Sequence, residues 1–121
     1  MEILNLTQHP ATPEQVADGV FELDGAGREL LCELLNFEEL PMRPEIQERA
    51  NKLAGLAVSI GARHAMIGGA PFLMKALEWA LQRANITPLY AFSRRESIEE
   101  RTPDGGVRKT SVFRHLGFVI N

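Results

Sequence analysis

The sequence predicts one α/β domain, with a mostly parallel sheet flanked by helices and a C-terminal antiparallel β-hairpin. Three observations predict it. Strand-like segments at residues 2–7, 65–69 and 88–92 are separated by helical ones, which implies parallel pairing through crossovers. Apolar residues within those helical segments recur at helical spacing. Near the C-terminus, Thr102-Pro103-Asp104-Gly105-Gly106 is a strong turn signal between two further strand-like stretches. The chain has 121 residues, 45% of them hydrophobic and 24% charged, an ordinary globular composition that argues against disorder. That length suits a single domain, residues 1–121, burying roughly two-thirds of its extended surface.

Each element has its own reason. Glu2 to Thr7 alternates Ile3, Asn5 and Thr7 against Leu4 and Leu6, a short first strand. It stops at Gln8-His9-Pro10, because proline lacks the donor a central strand needs. Thr12 is a good N-cap, Pro13 fits the first helical position, and Gln15 completes a T-x-x-Q capping box, so a brief helix runs to near Gly19. Val20 to Leu23 reads as a minor strand or an extended link. Leu30, Leu31, Leu34 and Leu35 mark an amphipathic helix over 27–37. Pro44 opens a longer one through Ile60, with Gly61 as its stop. Ala65 to Gly69 is a short buried strand. Pro71 to Ala84 is a helix, ended by Asn85 in a left-handed conformation. Pro88 to Phe92 begins a strand that continues past Ser93 as mixed polar residues, and Val107 to Ile120 returns as its hairpin partner. Apolar residues on both faces of 112–120 predict a strand covered on both sides. Met66, Phe72, Met74 and Trp79 read as core. The whole order is the Rossmann-like one.

Charge and cysteine usage bound the function. The net charge is −3, divided as +2 over residues 90–121 and −5 before them. A duplex-binding face shows a stronger basic excess, so no duplex nucleic-acid partner is expected. An acidic start and the absence of a long apolar run predict neither a signal peptide nor a membrane partner. Cys32 is alone, which fits a reducing, cytoplasmic setting. His9, His64 and His115 show no metal-ligand spacing, so neither a metal nor another cofactor is expected.

In open parallel sheets, ligands bind outside the carboxyl ends of the strands, beside helix N-termini. Three segments meet that description: Thr7 to Thr12, Gly68-Gly69-Ala70-Pro71, and Ser93-Arg94-Arg95-Glu96. The first two supply backbone donors and the positive ends of helix dipoles. The third supplies guanidinium groups able to grip phosphate. Together they point to an anionic, phosphate-bearing ligand held by Thr7, Thr12, Gly68, Gly69, Ser93, Arg94 and Arg95. Each also has a plainer role. Thr12 caps its helix, and Gly68-Gly69 serves as a strand-to-helix turn without any nucleotide fingerprint. Arg94 and Arg95 alternate faces, so one of them is a solvated charge or a partner of Glu96 or Glu99. His9 is the candidate general base or a loop-fixing histidine. Arg114 and His115 are expected to have structural partners. Ser93 is a nucleophile only if a base stands beside it; otherwise it is a hydrogen-bond donor.

Leu6-Thr7-Gln8-His9-Pro10-Ala11-Thr12-Pro13-Glu14-Gln15 resembles the opening H-x-x-T-x-E-Q stretch of small CARF-like proteins, the CRISPR-associated Rossmann-fold group. Residues 88–99, with Pro88, Tyr90, Ser93, Arg95 and Glu99, resemble their P-x-Y-x-x-[ST]-x-R-x-x-x-E strand, and residues 112–118 are similar to a closing F-x-H-x-x-F segment. Residues 20–65 lie outside the resemblance. It implies a homodimer that binds a short cyclic RNA, a cyclic oligoadenylate, at its strand ends, with some members cleaving the ring without metal. Ser93 and Arg95 would then contact the ligand, and His9 would assist proton transfer. A related mobile-element family is the alternative. Three readings follow: a nucleotide-ligand sensor or ring nuclease, a non-enzymatic interaction domain using the hairpin, and an enzyme acting on a small phosphorylated or carboxylated compound.

Overall fold

Ile3-Leu4-Asn5-Leu6 forms β1, and all four residues are buried, two on each face of the sheet. The structure, a computed structural model, describes residues 1–121. From β1 the chain passes through α1 (Pro13–Ala17), β2 (Val20–Phe21), α2 (Gly25–Leu35) and α3 (Arg43–Ser59). It continues through β3 (His64–Ile67), α4 (Pro71–Arg83), β4 (Thr87–Arg101) and β5 (Val107–Ile120). The strands form one sheet in the order β2-β1-β3-β4-β5, with the first three neighbouring pairs parallel and β4-β5 antiparallel.

Alternation along the strands sends two sets of side chains to opposite faces. Leu4, Leu6, Ala65 and Ile67 join the buried residues of α2, α3 and α4 in a 17-residue core. Ile3, Val20, Met66 and Leu89 form a smaller cluster on the other face, against Ala11 and Phe118. That second face has only α1, which buries no residue of its own, and the base of the hairpin to cover it.

Helix starts follow the short-range chemistry of the sequence. Thr12 Oγ1 accepts from the Gln15 amide and Gln15 Oε1 accepts from the Thr12 amide, a complete capping box. Pro44 and Pro71 lie in the first turns of α3 and α4, where a missing N–H costs nothing. Asp24, which the sequence reading left unassigned, caps α2 through the Gly27 amide. Gly61 and Asn85 end α3 and α4 with positive φ, as expected. Arg49 on α3 donates to the carbonyls of Glu33, Leu34 and Asn36 at the end of α2, and its guanidinium lies 4.2 Å from the centre of the Phe37 ring. One cation thereby fixes the corner between α2 and α3. At Gly19, φ is +107° and a Cβ would stand 1.8 Å from the Met1 carbonyl oxygen. Only glycine lets that turn approach β1 closely enough for the Ile3 amide to bond the Gly19 carbonyl at 2.9 Å.

The C-terminal half departs from expectation in two ways. β5 is not covered on both sides: Phe113 is 71% exposed, and Leu116, Val119 and Ile120 are exposed as well. Of the four helices α1 alone packs appreciably on β5, at its base, so the apolar residues beyond it have mainly the sheet's own neighbours. Phe72 and Trp79 are also exposed rather than core, because they lie on the outer face of α4, opposite Leu73, Leu77 and Leu81. Met66 and Met74 are buried.

Candidate functional site

β1 and β3 are sequence-distant but adjacent in the sheet, and β2 lies on the far side of β1. The strand order therefore reverses direction between β1 and β3, the kind of switch point that opens a crevice in α/β sheets. A cleft of about 500 Å³ lies there. Its lining includes Thr7, Gln8, His9, Pro10 and Thr12 after β1, and Gly68, Gly69 and Ala70 after β3. Gln15, Leu35, Tyr90 and Ala91 complete its walls with Met66 and Ile67. That volume falls within the range of small-ligand sites. The two loops predicted to converge do so: a Cβ on Gly68 would lie 3.5 Å from Thr7 Cγ2.

The first loop is held by a polar network that begins at Asn5, the one buried polar residue of the chain. Asn5 Oδ1 accepts from the Thr7 amide at 2.8 Å and from the Thr7 hydroxyl at 2.7 Å. Its Nδ2 donates to the His9 carbonyl at 2.8 Å and to Glu22 at 2.9 Å. Glu22 also accepts from the Ala11 amide, and Arg28 donates to the Thr7 and Gln8 carbonyls while pairing with Glu22. Satisfied buried polar groups of this kind specify one loop conformation. Within it the His9 backbone is fixed, while its exposed imidazole is free to meet a ligand at the cleft.

The second loop supplies donors rather than side chains. Ala70 is the N-cap of α4 and gives no side-chain oxygen; Pro71 has no N–H and the Leu73 amide bonds the Ala70 carbonyl at 3.0 Å, so Phe72 supplies the first-turn amide left without a cap near the cleft. Gly69 has φ +144°, a conformation open to glycine, and a Cβ there would meet only Met74 and Leu35 at ordinary contact distances. Backbone conformation, not space, selects glycine at that position. By contrast, the Thr12 hydroxyl and the Gln15 amide group are already engaged in capping α1. No lysine, arginine or carboxylate is among the lining residues. The cleft therefore carries no fixed charge of its own. Burial, and then the neighbouring Glu78 carboxylate, push the Tyr90 phenol up to about 12.

The third predicted segment does not line the cleft. β4 does not end at Phe92. It continues, paired with β5, to Arg101, with an irregularity between Phe92 and Ser93, and Gly117 at φ +150° opposite. Ser93, Arg94 and Arg95 are carried past the same end of the sheet onto an exposed two-stranded arm. Arg94 pairs with Glu96 at 3.1 Å, and Arg114 approaches the other oxygen of Glu96 at 2.9 Å. Hydrogen bonds from Arg114 and then Arg94 hold the Glu96 carboxyl below the usual carboxylate range. The Arg95 guanidinium lies 5.9 Å from the Phe113 ring centre. At the base of the arm, His115 Nε2 lies 2.8 Å from Asp18 Oδ2. Arg114 and His115 therefore both have the structural partners expected of them.

Sequence reasoning missed Asn5, Glu22 and Arg28 as the loop's support. The available signal was Asn5 itself, a polar residue midway along an otherwise apolar strand. Tyr90 and Leu35 were missed as walls because each reads as an ordinary strand or helix position.

The fold and cleft define an α/β protein with a small-ligand-sized opening at the switch point of its sheet. The family described as "Uncharacterized protein MJ1673 family" matches residues 1–119, and the chain belongs to it. No curated protein and no solved structure matches the chain. No helix is long and apolar enough to cross a membrane.

Proposed function

We propose that this is a Rossmann-like ligand-binding domain whose cleft takes a phosphate-bearing ligand, a nucleotide or a cyclic oligonucleotide. The observation that carries the reading is the junction of the Asn5-supported Thr7–Thr12 loop with the uncapped N-terminus of α4. A neutral cleft of this kind binds an anion through backbone amides, hydroxyls and a helix dipole. Thr7, Gly68 and Gly69 would contact the ligand, with Thr12 contributing mainly as the cap of α1. The resemblance of residues 6–15 to CARF-like proteins favours a cyclic oligoadenylate, and with it a homodimer acting as sensor or metal-independent ring nuclease. In cleavage, the ribose 2′-hydroxyl would attack the adjacent phosphorus and His9 would take its proton. Arg94, Arg95 and Ser93 would reach such a ligand only if it extends from the cleft along the arm.

Calorimetric titration with cyclic oligoadenylates, mononucleotides and inorganic phosphate, followed by chromatography of the products, tests the reading. Binding of a nucleotide is expected, with linear products if the ring is cut. No binding at micromolar nucleotide overturns it. Binding of a non-nucleotide phosphorylated compound alone would move the assignment to a small-molecule enzyme. A second reading, an interaction domain, rests on the arm, where an unpaired edge strand and exposed apolar residues lie together. It predicts that hairpin substitutions abolish partner capture while alanine at cleft residues leaves it intact.

A further inference from the structure

At the rim of the sheet, the arm and the body carry surfaces of opposite charge. β4 runs parallel to β3, so its continuation from Ser93 leaves the sheet at the rim where β3 ends. On the arm, Arg95, Glu99 and Arg101 share one face with their ladder partners Phe113, Lys109 and Val107. That face holds three cations against one acid, and both Phe113 and Val107 on it are exposed. Arg95 and Arg101 make no ion pair, and the Lys109–Glu99 pair is loose at 3.8 Å. The complement stands on the body, beside the cleft. Phe37, just beyond α2, packs edge-on against Phe72 in the first turn of α4, with ring centres 4.9 Å apart. The α2–α3 corner that follows is Glu38-Glu39-Leu40-Pro41-Met42, whose two glutamates line a shallow groove with Glu33. Glu33, Glu38 and Glu39 are exposed and engaged in no ion pair, and Leu40 beside them is 90% exposed. Arg49 on α3 fixes this corner through the Asn36 carbonyl and the Phe37 ring.

We infer that the arm's partner is a second copy of this chain, the Arg95–Arg101 face of each arm docking on the Glu38–Met42 corner of the other. Both features stand at one rim, so a two-fold axis satisfies the two contacts together. Pairing of the open β5 edge with its own copy is disfavoured, because that strand carries Arg108, Lys109 and Arg114 and no acid. From Ser93 to Arg101 the ribbon runs about 30 Å, and its two strands are about 10 Å wide. Each contact then covers about 300 Å² on either partner, and the two bury about 1,200 Å² in all, where stable interfaces begin. Phe113 and Leu40 supply the apolar centre, while the free guanidinium and carboxylate groups set register and speed encounter. The inference names a partner for the interaction-domain reading and rests on its premise that the arm is a docking surface. It holds whatever the cleft binds.

Sedimentation equilibrium of the full chain and of two charge-reversed variants tests this. The wild type is expected to dimerise, and to dissociate as salt is raised. Arg95→Glu with Arg101→Glu, and separately Glu38→Lys with Glu39→Lys, should each weaken association by about tenfold or more. All four side chains are exposed, so both variants should keep the wild-type circular dichroism. Mixed in equal amounts, the two variants should associate with each other. In that pair each reversed arm meets a reversed corner, and each unaltered arm an unaltered corner. A wild type that stays monomeric up to millimolar concentration overturns the inference, and leaves the interaction-domain reading to its own capture test. A dimer indifferent to both reversals, or variants that ignore each other when mixed, overturns it as well.

Discussion

Asn5 shows how one side chain can decide the shape of a site it does not enter. Its amide accepts from Thr7 and donates to His9 and Glu22 from a fully buried position. Asn5→Ala takes the acceptor from the part-buried Thr7 amide and one donor each from the His9 carbonyl and the Glu22 carboxylate, at a cost of about 1–3 kcal/mol. Denaturant unfolding measures this, and a loss below the effect of a simple surface change would refute the role. Tyr90 makes a second residue-scale test, because it is the chain's single tyrosine. Its phenol is pushed up to about 12, chiefly by burial. A raised folded value favours the neutral form, so the stabilisation is complete below the ordinary tyrosine value of about 10 and is lost as pH rises through 12. Absorbance at 295 nm, about the wavelength where tyrosinate absorbs and neutral phenol does not, should give a midpoint near that raised value. A midpoint near the ordinary one would contradict the packing of Tyr90 against Glu78.

At the scale of elements, what was legible in the sequence is what local chemistry decides. Thr12, Pro13 and Gln15 mark the start of α1 because a capping box needs only residues a turn apart. Asp24 was overlooked because Gly25-Ala26-Gly27, a poor helix-forming run, hides the start of α2. β4 raises a different point. The sequence carried it past Ser93 into the hairpin and also counted Ser93-Arg94-Arg95 as a strand end beside the cleft, yet a ladder that continues through backbone bonds carries those residues away from the rim. The loops after β1 and β3, by contrast, come together around one cleft. The arm that carries Ser93-Arg94-Arg95 rests on exposed polar contacts, so its order should depend on acid. Glu96 is held below the ordinary carboxylate range by Arg114 and then Arg94, so its contribution is present above about pH 4.3. It is lost as pH falls through the lower folded value. Amide exchange at 94–96 and 112–114, corrected for intrinsic rates, should accelerate on acidification, and Glu96→Gln should remove the pH response. An unchanged profile in that variant would sink the assignment.

Over the whole molecule, a buried body and an exposed arm divide the labour. The buried core lies at or before Leu89, and β5 is tied to the body by the partly buried Phe118 and by the His115 side chain, which meets Asp18 at 2.8 Å. Replacing residues 94–114 with an Asn-Gly turn, which suits a two-residue hairpin, should therefore leave a cooperatively folding protein with Tm within about 8 °C of the parent. Loss of cooperative unfolding would mean the arm supports the core in a way its exposure denies. The candidate site, with its backbone donors and His9, lies at the switch point of the body. The central claim is that a phosphate-bearing ligand binds there, and amide chemical shifts test it residue by residue. On titration with a cyclic oligoadenylate or mononucleotide, the largest ¹H–¹⁵N perturbations should fall on Thr7 to His9 and Gly68 to Phe72. Perturbations confined to the hairpin, or none at saturating ligand, would contradict a phosphate site between β1 and β3.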